Sequence, residues 1–173
     1  QVDVDRMDYL TRDSFFTGVS EGVIGYDRIL KMLVVHEGEL MVEEKGIYSI
    51  ENFVSARRLM YWQVYLHKTS VAAEAMLILL IKRAKKLTQS GKDIPATPAL
   101  SIFMERDITG IDFQDDPDLL GIFTMLDDTD IWGSIKMWQS HKDPVLSSLS
   151  HGLLTRRLFG IKLSSEKFSS EVV

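Results

Sequence analysis

The sequence predicts a mainly α fold that contains one small β-hairpin. Residues 49–87 lack Pro and Gly and are rich in Ala, Leu, Met, Arg and Lys, which favours one long helix with room for a kink. Two β-prone runs, residues 32–36 and 40–43, flank Glu37-Gly38-Glu39 and predict the hairpin. After a linker near residue 90, apolar residues recur at helical spacing. We therefore expect a helical bundle portion with one long helix and the hairpin in residues 1–90, and a C-terminal helical subdomain in residues 91–173.

The first predicted element is an N-terminal helix with many ionisable groups. Asp5, Tyr9 and Asp13 are spaced four residues apart, and Arg12 lies beside them. On a helix this spacing places two carboxylates and a phenol along one face. Such a face offers a metal ligand together with hydrogen-bonding groups, whereas the simpler alternative is a charged, solvated helix start. The segment is the strongest candidate for a functional site in the sequence.

The long predicted helix carries a second polar stripe. Its members share one helical face, and they are Arg57, Tyr61, Tyr65, Lys68 and Ala72. Two cations and two phenols suit an anionic ligand that contains a ring, because Arg can bind phosphate through a planar fork and Tyr offers a stacking surface with a hydroxyl. A solvated face with extended side chains would have the same pattern. Spacing alone leaves both interpretations open.

Four other segments have patterns that could indicate a functional site or a structural element, but their signals are weaker. His36 lies at the end of a hairpin strand, where an exposed side chain is the usual outcome. His141-Lys142-Asp143 is not a His-Asp dipeptide, and the Pro that follows indicates a surface loop. The acidic residues in 127–130 lack the spacing of a calcium loop and suit a helix N-cap. Residues 159–163 alternate in polarity, as in a strand.

Composition limits the possible classes of protein. Hydrophobic residues make up 45% and charged residues 26% of the chain, which suits a globular core. The apolar run at residues 75–81 ends at Lys82, well short of the ~20 residues that a membrane-spanning helix needs. The chain has no Cys, which excludes disulfides and thiolate metal sites. Its net charge of −5 gives no general argument for nucleic-acid binding, although local basic sites leave it open. We expect a cytoplasmic protein without membrane partners.

Two motifs resemble those of a known family. The pattern Asp-x-Asp-Arg-x-Asp-Tyr-x-x-Arg-Asp in residues 3–13, followed by Ser-Phe-Phe-Thr-Gly-Val, resembles the last motif of HD-domain phosphohydrolases. The match is best with their deoxynucleoside triphosphate triphosphohydrolase branch. Residues 56–69 look like the long-helix motif of the same family. The resemblance is strongest over residues 2–19 and 48–77. It implies that residues 1–90 are the C-terminal part of an HD catalytic domain, an HD-domain-like portion of a helical bundle.

The first motif implies roles for four residues. Asp5 corresponds to a catalytic metal ligand, and Arg6 takes a position that contacts phosphate. Tyr9 and Asp13 correspond to residues near the sugar 3′-hydroxyl. Arg6 replaces the Lys of the best-known animal relative, so its charge is kept while its geometry differs.

The long-helix motif implies roles for four more residues. Arg57 corresponds to the catalytic Arg that contacts the substrate phosphates. Tyr65 corresponds to the Tyr that packs against the deoxyribose, and His67 and Lys68 match the His-Lys pair at the substrate site. These assignments rest on the resemblance, because the spacing alone allows a solvated stripe.

The resemblance also implies a reaction and a cofactor. HD enzymes bind a divalent metal through a His, a His-Asp pair and a late Asp, and the first three precede the motif seen here. We therefore expect this chain to be the C-terminal part of a longer enzyme and to be inactive alone. The metal would be Mg, Mn, Fe, Ni or Zn. The expected reaction converts a deoxynucleoside triphosphate to a deoxynucleoside and tripolyphosphate.

Two alternatives to this function remain open. We also expect the protein to form a homo-oligomer. One alternative is an HD phosphodiesterase or phosphomonoesterase. The other is a non-catalytic module for nucleotide binding and oligomerisation. The long helix has apolar residues on more than one side, which predicts a homo-oligomer because such faces need cover.

Overall fold

The computed structural model describes residues 2–162 and residue 164. These residues are mainly helical and include one two-stranded hairpin, which confirms the predicted fold class. Among them, no single helix is long and apolar enough to cross a membrane, and only the pair Glu44–Tyr65 and Lys68–Gln89 reaches that length and apolarity when taken together. The chain forms two compact units that divide between Val71 and Ala72. The sequence predicts a different kind of boundary near residue 90, namely the end of a catalytic domain. This boundary stays a prediction.

The first unit contains short helices around a small core. Its elements in chain order are helix α1 (Val4–Thr17), a 3₁₀ turn (Ser20–Gly22), helix α2 (Tyr26–Lys31), strands β1 (Leu33–His36) and β2 (Glu39–Val42), a 3₁₀ turn (Glu44–Gly46), helix α3 (Ile47–Met60) and a π-helical turn (Tyr61–Tyr65). The side chain of Asp3 caps α1 by accepting the backbone N–H of Arg6. The helix ends at Gly18, whose φ of 72° is a left-handed conformation that favours glycine.

The core of the first unit brings α1 and α3 together. Its buried apolar side chains are Met7, Leu10, Ile24, Ile29, Phe53, Ala56 and Met60. Gly22 fits between the two helices, because a Cβ atom there would lie 2.7 Å from Met60 Sδ and 2.9 Å from Ser14 Cβ. This packing sets α1 beside α3, so that polar residues next to the apolar stripes can meet.

The hairpin confirms the prediction from the two β-prone runs. β1 and β2 pair antiparallel, with His36 opposite Glu39 and Leu33 opposite Val42. Glu37 and Gly38 have φ values of 51° and 80°, so they form a tight two-residue turn that matches strand twist. The side chain of His36 is exposed.

The single long helix predicted for residues 49–87 is interrupted. α3 ends at Met60, the π-helical turn follows, and helix α4 (Lys68–Gln89) begins only after a break. In the π-helical turn the backbone N–H of Leu66 donates to the Tyr61 carbonyl at 2.8 Å. The Val64 carbonyl accepts the Ser70 hydroxyl at 2.9 Å. Aromatic and β-branched residues between 61 and 65 weaken the helical preference, and these bonds satisfy the freed backbone groups.

The second unit is a helical subdomain. It contains most of α4 and the helices α5 (Pro98–Glu105), α6 (Asp112–Asp115), α7 (Pro117–Thr124), α8 (Asp128–Trp138) and α9 (Pro144–Leu154). Its largest buried side chain is Trp138, whose indole N–H donates to the Pro95 carbonyl at 2.7 Å. The predicted strand at residues 159–163 is wrong for the described residues 159–162, which have no strand partner, and Leu163 lies outside the described residues.

An ion pair joins α4 to the start of α9. Arg83 Nε donates to Asp143 Oδ1 at 3.1 Å, and a second guanidinium nitrogen contacts the other carboxylate oxygen. Asp143 also caps α9 by accepting the Leu146 N–H at 2.9 Å. Hydrogen bonding to Arg83, and then to the Leu146 N–H, lowers the pKa of Asp143 to about 2. The sequence placed Asp143 in a surface loop and gave no sign of this pair.

We expect Asp143→Ala to destabilise the protein by more than the about 1 to 2 kcal/mol that a lost N-cap alone costs, because Arg83 also loses its partner. Asp127→Ala is the matched control, since Asp127 caps α8 and forms no ion pair with the described residues.

Asp143→Asn separates the loss of the ion pair from the loss of the N-cap, because the amide oxygen can still cap α9. Because the pKa of Asp143 is lowered to about 2 in the folded protein, the stability that its carboxylate contributes is fully present above about pH 4. That stability is lost as the pH falls through 2. The stability gap between the parent and Asp143→Asn in urea unfolding should therefore close between pH 4 and 2, and a pH-independent gap would contradict this account.

Candidate active site

An open cavity in the first unit collects most of the predicted site residues. Its volume is about 350 Å³, and its wall consists of Asp5, Arg6, Tyr9, Asp13, Arg57, Tyr61 and Tyr65. α1 contributes the first four, and α3 with the π-helical turn contributes the other three. The four-residue spacing on each element points these side chains to one side. Among the predicted site residues, only His67 and Lys68 are absent from this wall.

A hydrogen bond between the two elements organises one end of the cavity. The Tyr65 hydroxyl donates to Asp13 Oδ2 at 2.7 Å, and the Tyr9 ring meets the Tyr65 ring edge-on with centroids 5.9 Å apart. Burial, and next the hydrogen bond to Asp13, raises the pKa of Tyr65. The phenol therefore stays protonated at neutral pH and acts as the donor. Asp13 keeps lone pairs that can accept a hydrogen bond from a ligand hydroxyl.

Arg57 supplies a cation to the same cavity. Its Cζ atom lies 5.5 Å from the centre of the Tyr61 ring, and its Nε is buried without a hydrogen-bond partner among the described residues. Hydrogen bonding with Tyr61, and next with Tyr9, raises the pKa of Arg57, so it stays charged. The ion pairs between described residues do not include it. An unpaired guanidinium in a cavity wall can bind an anion.

The second cation of the cavity, Arg6, already has a partner. Its backbone N–H donates to Asp3 Oδ1 at 2.8 Å, and its guanidinium is ion-paired with the other oxygen of that carboxylate. The pairing follows from the N-cap, which places Asp3 three residues before Arg6. The predicted phosphate contact of Arg6 stays a prediction, and a phosphate there would have to share this cation with Asp3.

Asp5 is an exposed carboxylate in the first turn of α1. Carboxylate oxygens are ligands that divalent cations accept. Among the described residues, however, no three His, Cys, Asp or Glu side chains are grouped closely enough to hold a metal ion. The described residues by themselves do not form a metal site, and Asp5 is available as a single ligand.

His67 and Lys68 lie after the break in the predicted long helix. His67 is exposed, and its Nδ1 accepts the Thr69 N–H at 3.2 Å. Lys68 is the exposed first residue of α4, and it does not line the cavity that holds Arg57 and Tyr65. Their substrate contacts stay predictions.

Tyr61 belongs to the polar stripe predicted from the sequence, although the family motif implies no individual role for it, and the structure places it in the cavity wall. The signal was present in the spacing, because Tyr61 is four residues from both Arg57 and Tyr65. Its ring meets the Tyr65 ring edge-on with centroids 5.2 Å apart. Tyr61 thus contacts both the Arg57 cation and the tyrosine that is hydrogen-bonded to Asp13.

A second cavity of about 530 Å³ shares part of this wall. It is mainly apolar, and it is lined by Val2, Ile50, Phe53, Val54, Arg57, Arg58, Tyr61, Trp62 and Leu66. Arg58 lies over the Trp62 ring, with Cζ 4.6 Å from its centre. This neighbouring pair repeats the Arg57–Tyr61 arrangement outside the polar cavity.

Comparisons with known proteins agree with the family resemblance. Residues 24–95 match the family model described as the HD associated region. The crystal structure of a phosphohydrolase from Bacteroides thetaiotaomicron is similar, with a TM-score of 0.92 and 54% identity over 98% of this chain and 42% of that one. The uncharacterized protein YwfO of Bacillus subtilis is 35% identical over 161 residues, which are 92% of this chain and 35% of YwfO.

A deoxynucleoside triphosphate triphosphohydrolase SAMHD1 homolog from Dictyostelium discoideum is 33% identical over 76 residues, which are 44% of this chain and 15% of that protein. The chain thus spans less than half the length of each of these relatives. They support a phosphohydrolase of the HD type and leave the substrate undetermined.

Proposed function

We propose that this chain is part of a metal-dependent HD phosphohydrolase that converts deoxynucleoside triphosphates to deoxynucleosides and tripolyphosphate. The observation that carries the proposal is the polar cavity, where the Asp13–Tyr65 pair and the cation Arg57 line one wall. Arg57 has no ion-pair partner among the described residues. A triphosphate needs positive charge, and a sugar hydroxyl needs an acceptor. The named activity of the Dictyostelium relative supports this substrate class.

Arg57 has the main electrostatic role in the proposed reaction. Negative charge develops on the phosphate oxygens as the bond to the deoxyribose 5′ oxygen breaks. A guanidinium that is already held in the cavity wall can stabilise this charge without reorganising. A guanidinium is charged at neutral pH, as this role requires, and the interactions with Tyr61 and Tyr9 raise the pKa of Arg57 further.

Three residues of the cavity, Tyr9, Asp13 and Tyr65, would bind the sugar. Asp13 would accept a hydrogen bond from the 3′-hydroxyl, with Tyr9 beside it. Tyr65 donates its own proton to Asp13, which fixes the phenol ring where it would pack against the deoxyribose. A ring in that place disfavours a 2′-hydroxyl sterically, so a deoxyribonucleotide is the better substrate.

The proposed metal would need more ligands than the residues described by the structure bring together. Asp5 would supply one ligand, and a single carboxylate does not hold a catalytic divalent ion. The other ligands would come from outside this chain, and the isolated chain would then be inactive. A bound divalent ion would supply an activated water and neutralise phosphate charge.

Product analysis tests the proposed function. We expect the full-length protein with added divalent metal to release one deoxynucleoside and one tripolyphosphate for each deoxynucleoside triphosphate consumed. ³¹P NMR and ion-exchange chromatography identify both products. Ribonucleoside triphosphates serve as the matched substrates and should react more slowly. Release of orthophosphate or pyrophosphate would contradict the reaction, and hydrolysis of phosphodiesters or monoesters alone would favour the alternative HD enzymes.

The absence of any turnover by the full-length protein would favour a non-catalytic nucleotide-binding module. Metal-dependent hydrolysis by the isolated 173-residue chain would contradict the assignment of the missing ligands. The homo-oligomer, the absence of membrane partners, the cytoplasmic location and the open question of nucleic-acid binding stay predictions.

A further inference from the structure

Tyr61 lies between the cation of the cavity and its hydrogen-bonded tyrosine. Its ring contacts the Arg57 guanidinium on one side, at 5.5 Å from Cζ to the ring centre. It also contacts the Tyr65 ring, with centroids 5.2 Å apart and ring planes at 76°. Tyr65 in turn donates to Asp13. Contacts therefore run without a gap from Arg57 through Tyr61 to the α1 carboxylate.

The backbone at Tyr61 fixes the placement of this ring. Tyr61 begins the π-helical turn, and its carbonyl accepts the Leu66 N–H at 2.8 Å. π-helical turns inside α-helices recur at functional sites, where one extra residue in a turn changes the direction of side chains. The turn here contains both Tyr61 and Tyr65. The relative position of the two rings therefore depends on a local irregularity of the helix.

We propose that Tyr61 is a positioning residue that holds Arg57 at a fixed distance from the Tyr65–Asp13 pair. The inference rests on the proposed function, in which Arg57 contacts phosphate and Tyr65 with Asp13 contacts the sugar. A triphosphate and its sugar are covalently linked, so the groups that bind them must keep a matching separation. Arg has a long flexible side chain, and a ring beneath its guanidinium restricts the positions that it can take.

Arg58 and Trp62 provide a matched control. Arg58 lies over the Trp62 ring as Arg57 lies over Tyr61, but neither Arg58 nor Trp62 lines the polar cavity. Tyr61→Leu and Trp62→Leu each remove one ring from beneath an Arg on the same helical segment. If the loss of an aromatic ring harms folding in general, kcat should fall in both variants. If Tyr61 positions Arg57, kcat should fall only in Tyr61→Leu.

The experiment compares three variants of the full-length protein. Tyr61→Leu should lower kcat by roughly 10- to 100-fold, because a misplacement of about 1 Å can cost 10²-fold in rate. Tyr61→Phe keeps the ring but removes the hydroxyl that hydrogen-bonds with Arg57, so its kcat should lie between those of the parent and Tyr61→Leu. Trp62→Leu should leave kcat unchanged. KM for the deoxynucleoside triphosphate should change less than kcat in Tyr61→Leu.

Crystal structures of the parent and Tyr61→Leu give a readout besides activity. The Arg57 guanidinium should move relative to Tyr65 in the variant, while the Tyr65–Asp13 bond or the Arg58 contact serves as an internal reference. An unmoved Arg57, or equal kcat in Tyr61→Leu and Trp62→Leu, would overturn the positioning role. If the parent hydrolyses no nucleotide, the proposed function fails, and the movement of Arg57 still decides whether Tyr61 positions it.

Discussion

Replacing Asp5 with Asn in the full-length protein is expected to remove most of the turnover and to lower the metal content. Asn keeps the size of Asp but offers a neutral oxygen in place of a charged one, so a divalent cation binds it more weakly. The loss should exceed the roughly 10- to 100-fold that removal of an outer-shell partner costs a metal site. Metal content of the purified variant and its nucleotide turnover are the two measurements.

The position of Asp5 makes this variant interpretable. Its side chain is exposed and forms no ion pair with the described residues, so the substitution should leave the fold intact. Asp8→Asn is the matched control on the same helix. Asp8 pairs with Arg12 at 2.8 Å on an exposed surface, an interaction of the kind that contributes little to stability, and it does not line the polar cavity. Normal metal content and turnover in Asp5→Asn would show that the first motif is not a metal site.

The faces of the two site-bearing elements could be predicted because they depend on local periodicity. Asp5, Tyr9 and Asp13 are separated by about one helical turn each, and any regular helix brings them to one side. The hairpin could be predicted for a similar reason, since Glu37-Gly38 accepts the positive φ values that a tight turn requires. In both cases a short stretch of chain contains all the information that determines the geometry.

The sequence allowed for a kink in the long helix, but the position and size of the break after Tyr65 could not be predicted, because no Pro or Gly marks it. A run of aromatic and β-branched residues lowers the helical preference only slightly. The bonds that stabilise the break, from Ser70 and Leu66, are available at many other places in a chain. Because of this break, the predicted stripe does not lie on one continuous helix: Arg57 belongs to α3, whereas Lys68 begins α4.

Partner choice among charged groups was also beyond sequence reasoning. Arg6 could contact phosphate, solvent or an acidic neighbour, and the structure shows it bound to the capping carboxylate of Asp3. Arg57 had the same range of options and has no acidic partner among the described residues. The difference arises from position, since Arg6 lies within the first turn beside an N-cap and Arg57 lies near the end of α3 beside Tyr61. Of the two cations that line the polar cavity, Arg57 is therefore the one without an acidic partner among the described residues.

Replacing Arg57 with Ala is therefore expected to lower kcat by about 10² to 10³, the usual cost of one lost electrostatic donor in a transition state. Metal content should stay normal, because the guanidinium is not a ligand. Arg57→Lys keeps the charge but loses the planar fork, and its kcat should lie between those of the parent and Arg57→Ala. The kinetic constants and metal content of both variants give the result.

The control for Arg57 is the adjacent Arg58, which lies over Trp62 and outside the polar cavity. Arg58→Ala removes an equal charge from the same helix, so it accounts for any general electrostatic effect on a polyanionic substrate. If both variants lose the same activity, the rate depends on overall charge and not on the cavity. If Arg57→Ala loses its metal as Asp5→Asn does, the cation supports the metal site instead of the transferred charge. The proposed division of roles requires loss of kcat with metal retained, and it requires this from Arg57 alone.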